Sequence, residues 1–393
     1  MTLITRFTNC RVLRNGKLIR DDLYVRDGKI IDYMQIFYEE RRKCDIALDC
    51  KGRIIAPGFI DLQINGGFGY DFSHDCEKIE SAVREVAQRL LSSGVIGFCP
   101  TLVTSDPAVY PEVLKKIRKE TGGKHGAAIL GLHLEGPFIA MDKRGAHNPS
   151  YVRTLENGVC DLTDVYGNDL SSVAIVTLAP ELDIRREVIK YLSSRGVRVA
   201  LGHSTASLRD AEIGASNGAS LITHLFNAMP LFHHRDPGVV GLLTSEVSPR
   251  PLFYGIIADG VHTHFETLRI AHRINPQNLV LVTDAISAMG LENGKHFIGD
   301  MQVVIEGKRA TIDGTSTLCG CVSSLDFCVR QFHAASGCSI EEALEAASLH
   351  PAQALGLANK GSLDVGSDAD FVIVNDDIQI QSTWIAGEMV YSL

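Results

Sequence analysis

The chain has 393 residues, of which 45% are hydrophobic and 22% are charged, and its formal net charge is −9 at pH 7. This composition is typical of a globular protein, and the acidic balance excludes a general nucleic-acid binder or a protein that binds anionic membranes. The length favours one large domain with a smaller companion.

The N-terminal residues and the cysteines indicate a cytoplasmic protein. Residues 1–6 show no signal-peptide pattern, and no apolar run reaches the roughly 18 to 20 residues that cross a bilayer. The ten cysteines lack the spacing of a disulfide framework, so we expect them to be reduced. Cys319 and Cys321 form the one tight pair, which is weak evidence for zinc, and we interpret them as buried structural thiols.

Both ends of the chain predict β-structure. Turn signals at residues 15–16, 27–28 and 51–52 separate apolar or alternating segments near the N-terminus. Strand-like segments return after about Gly361, at residues 369–374, 378–384 and 385–390. Because chain ends often lie close together, we predict one small β-sandwich domain built from residues 1–57 and 361–393.

The middle of the chain alternates buried-strand segments with helical stretches. The strand-like segments are residues 59–64, 97–101, 128–134, 173–178, 197–201, 220–223, 253–257 and 279–283. Apolar residues recur at helical spacing between them, most clearly over residues 79–92 and 207–215. About eight strands in such an alternation predict a parallel (β/α)₈ barrel of the TIM type, an α/β fold, over residues 58–360.

Polar side chains follow several of these strands, at the end where such barrels carry their chemistry. They are Gln63, Asn65, Glu135, His203, His224, His262 and Asp284. Glu135, His203 and His224 supply one carboxylate and two imidazoles, a donor set suited to zinc or another first-row divalent ion with positions open to water. A single strand-end histidine is more often structural, but several on separate strands favour a metal site.

Asp284 follows an apolar strand and has no basic neighbour in the sequence. In a purely structural role it would cap the next helix. Beside a metal-bound water it would act as a general base, and its companion residues favour this interpretation. Two loops, at residues 143–149 and 230–238, place hydrogen-bonding or cationic groups above the barrel mouth. Their composition is equally compatible with loops that contact a substrate and with loops that are only exposed to solvent. The chain has no G-x-x-x-x-G-K-[ST] loop, which argues against nucleoside triphosphate binding.

Six motifs are specific enough to indicate a family. They are PGFID at residues 57–61, HLEGPF at 133–138, LGHS at 201–204, HLFNAM at 224–229, ADGVH at 258–262 and VTDA at 282–285. Together they resemble the N-acetylglucosamine-6-phosphate deacetylase family of the amidohydrolase superfamily, over essentially the whole chain. The implied reaction is hydrolysis of the acetamide of N-acetylglucosamine 6-phosphate to acetate and glucosamine 6-phosphate.

The resemblance also implies roles for individual residues. Glu135, His203 and His224 bind the catalytic metal, Asp284 is the acid and base, and His147 polarises the acetyl carbonyl and contacts the substrate. The further substrate contacts that it implies are Ala146, Asn227, Ala228, Arg235, His262, Leu318, Cys319 and Gly320. Arg235 would reach the site of a neighbouring subunit, so we expect a functional homodimer.

The first barrel strand departs from the superfamily pattern. Most amidohydrolases carry H-x-H there, which supplies ligands for a second metal, whereas this chain has Gln63 and Asn65. Neutral amides are poor zinc ligands. We therefore predict one divalent metal ion per subunit, zinc, and interpret Gln63 and Asn65 as residues that contact the substrate or support the metal ligands.

Two other functions remain open at this point. An amidohydrolase acting on a cyclic amide or a deamination substrate would share the fold, but its substrate lacks a phosphate for Arg235 to contact. A non-catalytic assembly protein would not need the complete set of Glu135, His203, His224 and Asp284, so this set argues against it.

Overall fold

The computed structural model of the protein describes residues 3–247, 251–298 and 301–393. Seven short strands form near the N-terminus: β1 (Thr5–Thr8), β2 (Arg11–Arg14), β3 (Lys17–Arg20), β4 (Leu23–Arg26), β5 (Lys29–Ile30), β6 (Ile46–Asp49) and β7 (Ile54–Pro57). A short helix, α1 (Tyr33–Gln35), and a π-helical turn over Ile36–Glu40 precede β6. Residues 15–16 and 27–28 all have positive φ, as in the tight hairpin turns that the sequence predicts.

The middle of the chain forms the predicted parallel barrel and a small antiparallel pair. These strands are β8 (Phe59–Ile64), β9 (Gly66–Gly67), β10 (Tyr70–Asp71), β11 (Val95–Val103), β12 (Ala128–Ile129), β13 (Leu132–Glu135), β14 (Val173–Leu178), β15 (Arg198–Leu201), β16 (Leu221–Ile222), β17 (Phe253–Ile257) and β18 (Leu279–Val282). Parallel pairing runs from β8 to β11 and then in order from β13 to β18, while β12 pairs with the first half of β11. The predicted (β/α)₈ fold is confirmed.

Helices surround the barrel and connect its strands. They are α2 (Ile79–Leu90), α3 (Val109–Lys116), α4 (Val159–Tyr166), α5 (Val188–Ser194), α6 (Leu208–Ser216), α7 (Phe265–Ile274), α8 (Leu325–Ser336), α9 (Ile340–Glu345) and α10 (Leu349–Leu355). Short 3₁₀ turns cover Leu91–Ser93, Met141–Lys143, Pro149–Tyr151, Pro180–Leu182, Gly238–Leu243 and Pro276–Asn278. Helices α2 and α6 confirm the two helical predictions, and in the described part of the chain no helix is both long and apolar enough to cross a membrane.

An antiparallel three-stranded sheet that the sequence analysis did not predict follows the barrel's last strand. It contains β19 (Gly294–Ile298), β20 (Met301–Glu306) and β21 (Arg309–Ile312). Val303 and Ile305 of this sheet are buried in a small apolar cluster with Ile286 and Cys319. The loop at residues 318–320 therefore packs against this sheet through Cys319.

The chain ends meet in two packed sheets. The last strands are β22 (Phe371–Val374), β23 (Ile380–Ile385) and β24 (Glu388–Ser392). They join N-terminal strands in a six-stranded sheet of order β24-β23-β22-β7-β2-β3, which faces the four-stranded sheet β5-β4-β1-β6 across a core that includes Phe7, Phe371 and Trp384. This arrangement is the expected small β-sandwich made from both termini. The division of the chain at residues 57 and 361 stays a prediction.

The barrel closes between β8 and β18 without a regular ladder. Near the start of these strands, the N–H groups of Ile60 and Leu281 donate to the backbone carbonyls of Ala347 and Ala346 at 2.8 and 2.9 Å, so the segment after α9 lies between the two strands. Near their ends the strands meet directly, because Asp284 N–H donates to the Gln63 carbonyl at 2.8 Å. This seam sets the distance between residues 63 and 284.

The side chain of Asp61 replaces the missing ladder in the middle of the seam. It is fully buried and accepts from the hydroxyl of Thr283 at 2.6 Å and from the backbone N–H groups of Thr283 and Gln63 at 3.2 Å each. Burial raises the pKa of Asp61 to about 7. The seam thus depends on one buried carboxyl group.

Replacing Asp61 with alanine should lower the free energy of unfolding by about 2 to 4 kcal/mol, because two buried N–H groups lose their acceptor and the Thr283 hydroxyl keeps only the Gln63 carbonyl at 3.3 Å. Asp61→Asn should recover most of this loss, since its amide oxygen still accepts from the backbone. Chemical unfolding followed by circular dichroism measures both variants. An Asp61→Ala protein as stable as the wild type would contradict this account of the seam.

Candidate active site

A cavity of about 740 Å³ opens at the carboxyl end of the barrel. Most of the predicted site residues line it: Asn65, Glu135, Ala146, His147, His203, His224, Asn227, Ala228, His262, Asp284, Leu318, Cys319 and Gly320. Gln63 lies beneath the wall, in contact with two of these residues. Arg235 is exposed and does not line the cavity of its own chain.

The backbone turns sharply where the functional side chains leave the strands. Glu135 is the last residue of β13, and His203, His224 and Asp284 each lie two residues beyond the end of a strand. The last three have positive φ angles of 48°, 25° and 50°. Such conformations are unfavourable for residues with a side chain and tend to cluster at functional sites. Their occurrence at three strand ends around one cavity marks this end of the barrel as the functional one.

Three donor atoms converge at the bottom of the cavity. Nε2 of His203 and Nε2 of His224 each lie 3.1 Å from Oε1 of Glu135, and they are 3.0 Å from each other. Metal–ligand bonds of roughly 2.0 to 2.2 Å place tetrahedral zinc ligands about 3.3 to 3.5 Å apart. The three atoms therefore come close to occupying three corners of a coordination tetrahedron, and these residues fit a divalent metal.

The ring orientation of His203 agrees with a ligand role. Its Nδ1 lies 2.8 Å from the backbone carbonyl of Lys143. A carbonyl only accepts, so the proton is on Nδ1, and Nε2 presents its lone pair toward Glu135. His224 lacks such a partner, because its Nδ1 is buried without a hydrogen bond in the described part of the chain. Its ring is therefore held by packing and by the donor cluster alone.

His147 has the opposite tautomer. The backbone N–H of Thr104 donates to Nδ1 of His147 at 3.2 Å, so the neutral ring carries its proton on Nε2. Burial, followed by the nearby His203 ring, lowers the pKa of His147 to about 3 and keeps it neutral. His147 also lies close enough to Glu135 and His203 to form a ligand set with them. Its protonated Nε2 makes it a hydrogen-bond donor there rather than a ligand.

Gln63 and Asn65 act as donors to carboxylates. Nε2 of Gln63 lies 2.9 Å from Oε1 of Glu135 and 3.2 Å from Oδ1 of Asp284. Nδ2 of Asn65 donates to the same Asp284 oxygen at 2.7 Å. Their amide groups thus hold the two carboxyl groups apart and in place.

Asp284 is poised to exchange a proton near neutral pH. Burial, and then the negative charge of Glu135, raises the pKa of Asp284 to about 6. A carboxyl group with such a pKa can take a proton in one step and return it in the next. This is the chemistry that a general acid and base needs.

Two residues that contribute to the site were not predicted from the sequence. Thr104 sets the tautomer of His147, and buried Asp259 holds Nδ1 of His262 at 2.7 Å. Asp259 also accepts from the N–H groups of Val261 and His262, and although burial opposes it, these contacts lower the pKa of Asp259 below its usual range. The ADGVH motif contained this signal, because an Asp three residues before a His can reach its ring across a turn.

Comparison with known proteins agrees with this geometry. Residues 54–390 match the sequence profile described as "Amidohydrolase family". The chain belongs to the amidohydrolase family. It is 58% identical to an N-acetylglucosamine-6-phosphate deacetylase of Mus musculus over 392 residues, which cover 99% of this chain and 96% of that protein. The family resemblance that the six motifs indicate is confirmed.

Solved structures of similar proteins extend this result. The N-acetylglucosamine-6-phosphate deacetylase of Pasteurella multocida superposes with a TM-score of 0.85 at 27% identity, and the match covers all of both chains. A variant of the Mycobacterium smegmatis deacetylase in complex with N-acetyl-D-glucosamine-6-phosphate superposes with a TM-score of 0.83 at 26% identity, again over all of both chains. The fold of this amidohydrolase is therefore shared along its whole length with enzymes of that name.

Removing a metal ligand should separate the two possible ligand sets. We expect Glu135→Gln and His224→Asn to lose most of the bound metal, whereas His147→Asn should retain it, because Nε2 of His147 carries a proton. Inductively coupled plasma mass spectrometry after dialysis counts metal per chain. Loss of metal in His147→Asn to the same extent as in His224→Asn would assign His147 to the ligand set instead.

Proposed function

We propose that this protein hydrolyses the acetamide bond of N-acetylglucosamine 6-phosphate and releases acetate and glucosamine 6-phosphate. The observation that carries the proposal is the position of Asp284 beside the cluster of Glu135, His203 and His224, with the Nε2–H of His147 at the same cavity. An acid and base, a metal-binding cluster and an oxyanion donor are the three parts that metal-assisted amide hydrolysis needs. The names of the similar enzymes agree with this chemistry.

The metal centre consists of Glu135, His203 and His224, and we propose one zinc ion in the active site of each subunit. Two imidazoles and a carboxylate are a common ligand set of zinc in hydrolases. A zinc ion in this site would lower the pKa of a water molecule bound to it toward about 7. Gln63 and Asn65 direct their N–H groups at carboxylates, which supports a single ion because those groups cannot bind a second one.

The reaction itself uses the side chains of Asp284 and His147, which both line the cavity. Asp284 accepts a proton from the attacking water, holds it, and then gives it to the departing sugar nitrogen. His147 donates its Nε2–H to the acetyl oxygen as negative charge develops there, and Thr104 keeps that proton on Nε2. Because His147 is neutral over the working pH range, this donor is always available.

The sugar phosphate would bind away from the reacting bond. His262, held by Asp259, presents its second ring nitrogen at the cavity, and Asn227, Ala228, Ala146 and residues 318–320 complete the wall. Binding energy gained at the phosphate orients the acetamide for attack.

We propose that the working form is a homodimer in which Arg235 serves the partner's cavity. Leu231 and Phe232, close to Arg235 in the same loop, are 89% and 65% exposed. Large apolar side chains at such exposure are typical of a contact surface. We also propose a cytoplasmic location, which the ten unpaired cysteines support.

The direct test compares acetate release from N-acetylglucosamine 6-phosphate and from the same sugar without phosphate, with metal counted in each preparation. We expect turnover of the phosphorylated sugar, strong preference over the unphosphorylated one, and about one metal ion per active site. Metal-replete protein that releases no acetate from either sugar would contradict the proposal and point to another amide substrate or to an assembly role.

Replacing Asp284 with asparagine should leave metal and substrate bound but lower kcat by about 10²- to 10⁴-fold, because the proton acceptor is lost. In the wild type, kcat/KM should fall as the pH drops to about 6 and below, since protonation of Asp284 removes the base. Steady-state kinetics across pH measures both effects. Near-normal turnover by Asp284→Asn would exclude its role as acid and base.

A mixing experiment provides the matched control for Asp284→Asn and tests the dimer. Arg235→Ala alone should raise KM, because the partner's cavity loses a phosphate contact. When Asp284→Asn and Arg235→Ala chains are mixed and exchanged, one site of each mixed dimer contains both an intact Asp284 and an intact partner Arg235. Recovery of activity supports the shared site, whereas strictly additive activities would contradict it.

A further inference from the structure

A second group of metal-binding side chains lies outside the barrel, far in sequence from the catalytic cluster. It consists of His272 in the last turn of α7, Cys338 just after α8, and Glu342 in the first turn of α9. One imidazole nitrogen, one thiol sulfur and one carboxylate oxygen all lie within 4.8 Å of one another. These are the three donor types that zinc and similar divalent ions bind in proteins.

Among the described residues, no hydrogen bond accounts for the position of the His272 Nε2 atom. This atom is buried and lacks a hydrogen-bond partner within the described residues. It lies 3.4 Å from Oε1 of Glu342, which is within ion-pair distance but outside hydrogen-bond geometry. A buried ring nitrogen without a partner is costly, and native proteins rarely leave one without a reason.

The carboxylate of Glu342 is oriented by its own helix. Its Oε2 accepts from the backbone N–H and the hydroxyl of Ser339 at 2.8 and 3.0 Å, in the capping box that begins α9. This contact leaves Oε1 directed at His272. Arg269, one helical turn before His272, is bonded to Glu266 and to the carbonyl of Ala335 instead.

Cys338 completes the group from a fixed turn. The residue is 5% exposed and follows Gly337, which ends α8 in a left-handed conformation with φ of 72°. Its backbone N–H donates to the hydroxyl of Ser336 at 3.2 Å. Helix termini on both sides therefore hold the thiol beside His272 and Glu342.

We propose that His272, Cys338 and Glu342 bind a second divalent metal ion, of the zinc class, in a structural site independent of the catalytic one. Binding forms a metal–sulfur bond and releases the Cys338 proton to solvent. Three protein ligands leave a fourth position for water.

The place of this site in the fold indicates what the ion does. Helix α9 leads directly into Ala346 and Ala347, whose carbonyls accept from Leu281 and Ile60 at the barrel seam. An ion that joins α7 to the start of α9 would therefore stabilise the segment that closes the barrel. It acts on stability, with no contact to the catalytic cavity.

Cobalt titration tests the site in the full-length protein. Chelator-treated protein under reducing conditions should take up about two Co²⁺ ions per chain, and one of them should produce sulfur-to-cobalt charge-transfer absorption. The proposed catalytic ligands contain no thiol, so this absorption separates the second site from the first even if the proposed activity is wrong. Added Zn²⁺ should also raise the thermal unfolding midpoint.

Two variants and one matched control decide the outcome. Cys338→Ser should lose the absorption and one ion per chain, and Zn²⁺ should shift its unfolding midpoint less than that of the wild type, because only the catalytic site still binds the ion. His272→Asn should show the same three changes. Cys160→Ser, which removes an exposed cysteine, should keep all of them. A wild-type protein without the absorption, or an absorption that persists in Cys338→Ser, would overturn the proposal; the second result would point to another thiol, such as Cys319 in the cavity wall.

Discussion

The structure depends on keeping two carboxyl groups, buried Glu135 and half-buried Asp284, close together at the bottom of one cavity. Burying charge costs free energy unless the charge is paired and hydrogen-bonded. Burial alone would raise the pKa of Glu135, yet its contacts with His203 and His224 hold that pKa well below its ordinary value. For Asp284, burial and the negative charge of Glu135 outweigh the effect of the nearby His224 and His262 rings, and its pKa rises to about 6. One carboxylate is thereby suited to bind a cation and the other to exchange a proton.

This division between the two carboxyl groups rests on the closure of the barrel. Gln63 in β8 donates to both Glu135 and Asp284, and the strand that carries Asp284 is joined to β8 by the seam. Asp61 and the segment after α9 hold that seam together. A change in the seam would move Asp284 relative to Glu135, so stability and chemistry are coupled at this point of the fold.

His147 and His203, whose ring centroids lie 4.4 Å apart, differ through their backbone partners. A carbonyl fixes the proton of His203 on Nδ1, and an N–H group fixes the proton of His147 on Nε2. The same residue type therefore provides a lone pair in one position and a donor in the other. Two main-chain groups, at Lys143 and Thr104, are sufficient to assign these roles.

The sequence by itself determined the barrel, the two terminal β segments and the family, and it grouped the residues whose donor atoms converge in the cavity. Apolar runs and turn pairs are local patterns, and motifs such as HLEGPF and HLFNAM carry their residues within a few positions of each other. The alternation of strands with helices is also visible locally, and eight such strands predict one barrel. The carboxyl ends of the strands of a barrel lie together at one end of it. For this reason Glu135, His203, His224 and Asp284 could be grouped from the sequence alone.

Only the tertiary structure decided which partners these residues have. The tautomer of His147 depends on Thr104, 43 residues away, and the group of His272, Cys338 and Glu342 forms only when two helices and a turn pack together. The sheet of β19 to β21 was likewise invisible in the sequence. A sequence records neighbours along the chain, whereas hydrogen bonds and cavity walls are made between segments that the folded core brings into contact.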